Sequence, residues 1–402
     1  MDAFSASVTF NIIQEGRNMV MKRFFLRSIK MLKIVRFGLI LLVGTTTLCI
    51  TQETLAGNIS SPKPLVSPAL LKHAGLKLIW DNKLPIKKKE KLERLLLFDN
   101  YLYAISDRNF IMSLNQKNGN IIFGKIIEPA GVPITGMRLY NNELMYVSSN
   151  SKLVQINAQS GVVLKTTDIG FSVSCPVARN SSYFYIAGTD KRLHAIHAEN
   201  KVQAFEVASE NESMITSVIA DENFVLFATA VGNIICIAPD KPRRSWQFDA
   251  AGPVAGPIVR DGMSLFFASR DTNVYKVDMV GLPSDKRLVW KHQTAAVLEN
   301  APVVTEGIVY QHVKGKGLTA INKENGTSLW QVPKGLDLLT ETSNKAYVIT
   351  NIGTLVVMDN IKAKELYTLN IAEVTKHVSN TMDDKIYIAD DLGRIACLQP
   401  AQ

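Results

Sequence analysis

Apolar residues in this chain gather in short runs that recur about every forty positions. Strand-like runs centred on Tyr103, Tyr146, Tyr185, Phe227, Phe267, Tyr310, Tyr347 and Tyr387 are separated by 43, 39, 42, 40, 43, 37 and 40 residues. Seven or eight residues after each aromatic comes an apolar pair at i and i+3, such as Ile111/Leu114, Leu193/Ile196 and Leu355/Met358. Overlapping that pair is an eleven-residue frame, clearest in AINKENGTSLW, Ala320 to Trp330. Its Asn325-Gly326 step predicts a hairpin, because glycine takes positive φ at no steric cost, and Ser328-Leu329-Trp330 returns as the next strand. The frame recurs ungapped at Ser113 to Phe123, Ala195 to Phe205, Cys236 to Trp246 and Val357 to Tyr367. Gln155 to Lys165 fits but ends on a lysine, and Lys276 to Trp290 carries four extra residues in its turn.

Several short strands per unit at a period near forty predict the blades of a β-propeller. Runs such as Phe224-Val225-Leu226-Phe227-Ala228 do not alternate apolar with polar. A sheet with one wet face alternates, whereas a sheet stacked between two others need not. The pattern therefore predicts an all-β, eight-bladed propeller with four antiparallel strands per blade. The eighth repeat reaches its third strand at Ile395 to Leu398, and Gln402 leaves no room for an outer one. Leu76-Lys77-Leu78-Ile79-Trp80 has the apolar-then-Trp form of an outer strand with no blade of its own. The expectation is that this N-terminal strand closes the last blade, since an open ring would expose two unpaired edges.

Ahead of the repeats, Lys22, Arg23, Arg27, Lys30, Lys33 and Arg36 precede an apolar run from Phe37 to Ile50, and Thr54-Leu55-Ala56 suits signal cleavage. Residues 1–56 thus read as a signal peptide or an uncleaved N-terminal anchor, with Met19 or Met21 as alternative starts. The run is short for a membrane span of about twenty residues. Cys49 follows Leu48, where a lipoprotein signal wants a small residue. Residues 57–75, with Pro62, Pro64 and Pro68, read as an extended linker, and 76–402 as one propeller. Removing 1–56 takes seven of the 45 basic and three of the 36 acidic residues, leaving an excess of +5. Lys87-Lys88-Lys89 with Lys91 is the one dense basic cluster, and Glu90 and Glu93 interrupt it, so a nucleic-acid partner is not expected.

The residues carry little chemistry. Cys236 and Cys397 hold equivalent places in repeats four and eight, half a turn apart and beyond disulfide reach, and Cys175 precedes Pro176 at the start of an inner strand. All three read as buried small side chains. His194 and His197 share a strand region at an odd separation, which points them to opposite faces and argues against a joint zinc site. No Gly-rich phosphate loop opens a helix, and no Gly-x-Ser-x-Gly elbow is present. Asn325-Gly326-Thr327 matches a glycosylation acceptor but falls on a hairpin turn. Glu128, Asp168, Asp249, Glu299, Asp337 and Glu373, at the blade connections, are expected to be solvated loop acids and not a cation-binding mouth.

The frame Ala-x-(Asp/Asn)-x-x-x-Gly-x-x-x-Trp resembles the pyrroloquinoline-quinone (PQQ) repeat of eight-bladed quinoprotein-type propellers. In that family the last aromatic docks against the neighbouring blade. The resemblance gives that structural role to Trp80, Phe123, Phe205, Trp246, Trp290, Trp330 and Tyr367, with Lys165 departing. Within the family the chain is similar to the propeller subunit of the bacterial outer-membrane β-barrel assembly machinery. That resemblance implies a monomeric, exported, non-enzymatic scaffold in the periplasm or envelope. It would bind other envelope proteins, take no cofactor, and meet the membrane only through an uncleaved N-terminal segment. The alternative is a PQQ-dependent dehydrogenase, whose quinone sits between a tryptophan and a vicinal Cys-Cys disulfide beside Ca²⁺. This chain has no Cys-Cys pair, and Glu299-Asn300 is the one adjacent acid–amide pair near a blade mouth. No catalytic or metal residue is expected.

Overall fold

A computed structural model describes residues 63–401 apart from 281–285 and 343. The export segment, Cys49, the possible starts and part of the long turn in the fifth repeat lie outside the described residues. The described strands form eight separate four-stranded antiparallel sheets. Seven of them run inner to outer in chain order, and the second strand of each carries the expected central aromatic. In blade 2, for example, Ile134–Tyr140, Leu144–Ser149, Lys152–Asn157 and Val163–Asp168 follow one another.

The eighth blade is built from both ends of the ring. Its first three strands are Lys376–Val378, Ile386–Ala389 and Arg394–Pro400, and its outer strand is Leu76–Lys83. Trp80 pairs with Cys397, just as Trp246 pairs with Cys236 in blade 4 and Trp330 with Ala320 in blade 6. The N-terminal strand is therefore in register with the repeat, and the ring closes as the sequence predicts.

Apolar clusters occupy all eight joints between neighbouring sheets. Phe227 packs toward blade 3, while its neighbours Leu226 and Ala228 pack toward blade 5. That division is why these strands do not alternate. Each sheet buries both faces, and dispersion between stacked sheets replaces a single central core.

Residues 63–75 differ from an extended linker. Leu65, Val66, Leu71 and Ala74 are buried against the joint of blades 7 and 8. Pro68–His73 forms a short α-helix with Pro68 in its first turn, where a missing N–H costs nothing. Burial of those four apolar side chains outweighs the extended preference of the prolines. The inner strands of blades 3 and 6 are only Ala178–Arg179 and Val303–Val304. Pro176 and Pro302 precede them, and proline cannot donate to a ladder.

Candidate functional site

The turn between third and outer strands builds each joint. In blade 6, Asn322 caps it by accepting from the backbone N–H of Glu324 (2.9 Å) and Asn325 (3.1 Å). Only Gly326 takes positive φ, at 74°, and the outer strand then re-enters through a bulge at Ala320/Ile321. This is a capped turn with a left-handed last residue and not the two-residue Asn-Gly hairpin.

That corner receives the aromatic of the preceding blade. The Trp80 indole N–H donates to the Gln116 carbonyl at 2.8 Å, and the ring covers Gly119. Trp290 repeats the arrangement, donating to the Lys323 carbonyl at 2.9 Å and covering Gly326. Phe123 lies over Gly161. Trp246 is buried beneath the Arg287 guanidinium, 4.5 Å from the ring centre. Trp330 is buried beside Tyr310, yet its indole N–H has no partner among the described residues. Phe205 and Tyr367 are half-buried against their joints. Lys165 is exposed.

The acids at the blade connections do not converge. Glu128 accepts from the Ser149 hydroxyl at 2.8 Å, and Asp168 caps the N–H of Gly170 at 2.9 Å. Asp249 accepts from the Asn233 amide, Glu299 from Lys314, and Glu373 from Lys63. Asp337 faces His377 at 3.3 Å. Among the described residues no cluster of three potential metal ligands occurs. His194 stacks on Phe171 and approaches Asp190 at 2.8 Å, while His197 lies against Tyr183. Cys175, Cys236 and Cys397 are free and buried. Burial pushes their thiols up, to about 11 for Cys175 and Cys236 and about 12 for Cys397.

One concavity draws on blades 2, 3 and 4, near the turns that join their inner and second strands. It is a cleft of about 300 Å³ whose walls include Tyr140, Tyr146, Val177, Phe184, Val218 and Ile219. Arg138 and Arg179 supply its charge. The Arg179 guanidinium lies 4.2 Å from the centre of the Tyr140 ring and 4.9 Å from that of Phe184, and it donates to the Tyr146 hydroxyl. Arg138 is exposed and makes no side-chain hydrogen bond or ion pair among the described residues. Phe184 also borders a second, smaller cleft that contains Lys201, whose ammonium lies 4.3 Å from the centre of the same ring. Burial first, then the charges of Lys165 and Arg179, pull the Lys201 pKa down to about 8.

Blade count and register together define an eight-bladed β-propeller. The family described as outer membrane protein assembly factor BamB matches residues 230–385. Among solved structures, BamB from Moraxella catarrhalis superposes with a TM-score of 0.60 at 14% identity, covering 81% of this chain and 99% of that one. The computationally designed Ika8 protein superposes with a TM-score of 0.62 at 11% identity, over 80% of this chain and 99% of that one. No curated protein matched by sequence. The chain is an eight-bladed β-propeller that is similar to the BamB family over residues 230–385.

Proposed function

We propose that this chain is an exported, non-enzymatic propeller that acts as a protein-binding scaffold in the assembly of outer-membrane proteins. The family match over residues 230–385, to proteins described as outer-membrane assembly factors, carries the reading. A closed ring supports it by presenting two faces of loops on a rigid frame, the usual place for recognition surfaces. Its partners are other envelope proteins, and its place is the periplasm or envelope. Residues 1–56 serve as export signal or retained anchor, residues 57–62 remain as a spacer, and the propeller follows.

The test is cross-linking in the cells that make the protein, followed by affinity capture from the envelope and mass spectrometry. The expected captures are β-barrel assembly components, with an N-terminus near Gly57 if the signal is cleaved. Recovery from the cytosol, or stoichiometric quinone bound with dye-linked alcohol or sugar oxidation, would overturn the reading.

A further inference from the structure

The cleft of blades 2 to 4 combines apolar walls with two arginines, one of them, Arg138, exposed to solvent. Its walls are aromatic and aliphatic, and its only charges are Arg138 and Arg179. Some cations on the inner strands face acids, as Arg260 meets Asp221 at 3.0 Å and Lys376 meets Asp391 at 3.2 Å, while Arg94, on the inner strand of blade 1 (Leu92–Phe98), donates to the Ile134 carbonyl. Arg138 and Arg179 have no carboxylate partner among the described residues. Guanidinium groups bind carboxylates through paired N–H donors, and a low-polarity wall strengthens that attraction.

We propose that this cleft binds an extended segment of another protein that presents one carboxylate beside a bulky apolar side chain. The inference rests on the scaffold reading and names the kind of segment the scaffold would take. The volume suits it: about 300 Å³ equals roughly ten waters at ~30 Å³ each, room for one carboxylate and one large side chain. The backbone suits it as well. The inner strand of blade 4, Ile215–Ala220, pairs only with the second strand of its sheet; the Ser174 hydroxyl donates to the Ile215 carbonyl at one end, and the Val218–Ala220 end that lines the cleft is the part an added segment would meet. A free inorganic anion would use the arginines and leave the apolar walls wet. Lys201, across Phe184, adds to the unneutralised positive field.

Isothermal titration of the full propeller tests this, using the capped peptide acetyl-Gly-Phe-Glu-Phe-Gly-amide, which has a single carboxylate. The expected result is saturable binding that weakens about tenfold when Gln replaces the peptide's Glu and weakens again as salt rises. Arg138→Gln should cause a similar loss with no change in melting temperature, because that side chain has no bond to lose. Ile219→Trp, which fills the cleft and keeps both arginines, should abolish binding. Equal affinity for the Glu and Gln peptides would overturn the proposal, as would an unaffected Arg138→Gln variant. Binding to vesicles of anionic phospholipid with none to the peptide would assign the cleft to a lipid headgroup and overturn it too. If the peptide fails while envelope capture still recovers assembly components, this site is wrong and the scaffold reading stands. If capture fails as well, both fall.

Discussion

Gly119, Gly161 and Gly326 occupy the left-handed corner of their turns, with φ of 71°, 70° and 74°. A Cβ on them would lie 2.4, 2.4 and 2.8 Å from the ring of the preceding blade. Lys201 and Ala363 hold the same place with φ of 65° and 52°. Lys201 faces the joint where Lys165 replaces the aromatic, so its Cβ has room. Ala363 faces the joint of Trp330, whose buried indole N–H has no partner among the described residues. Corner and aromatic are thus coupled one blade apart, a signal present in the sequence but invisible when each frame is read alone. Gly119→Ala should lower stability by about 2–4 kcal/mol in urea titration, from overpacking against Trp80 and from the left-handed backbone. Lys201 offers a pH-dependent check. Its folded pKa, about 8, lies below its ordinary value near 10.5, so between them the folded state holds fewer protons than the unfolded one. Its penalty is full below pH 8, fades as pH rises from 8 to 10.5, and is gone above that. Lys201→Met should therefore exceed the parent in stability at pH 7 by a margin that narrows steadily toward pH 10.5.

At the scale of strands, the latch between the chain ends dominates. Trp80 is buried, packs within 6.1 Å of Tyr387 and bonds the next blade's turn. Trp80→Ala should cost on the order of 3–5 kcal/mol, whereas Trp80→Phe should cost only about 1 kcal/mol by losing one hydrogen bond. Calorimetry of the two variants separates packing from bonding. This latch was legible because an absence in the eighth repeat matched a surplus strand at the N-terminus. Residues 63–75 were not, since prolines and polar residues mask the four apolar anchors that dock on blades 7 and 8. The two-residue inner strands beside Pro176 and Pro302 were also hidden, because so short a run shows no period.

Across the whole ring, the periodic spacing fixed blade number and order, but the cleft went unread. Arg138 and Arg179 stand 41 residues apart, close to one period, though the register offsets them by one: Arg138 pairs with Tyr146, whereas Ala178, not Arg179, pairs with Tyr185. A search for like charges one period apart would have found them. Which of them keep a partner depends on contacts across joints, and no local pattern encodes those. The free thiols of blades 3, 4 and 8 give a global check on the fold. Buried and with raised pKa values, Cys175, Cys236 and Cys397 should resist a disulfide-exchange reagent in the native state and react fully in guanidinium. The melting temperature should be the same with and without reductant.

The closing strand pairs Leu76 with Pro400 at one end and Lys83 with Arg394 at the other. Both chain ends therefore leave the ring at the same end of one strand pair. A pull applied between them loads the ladder as a zipper, opening one bridge at a time, and not as a lap joint that must fail all at once. The strand pair that closes the ring is thus poorly placed to bear tension, and a force between the chain ends would open blade 8 before any other.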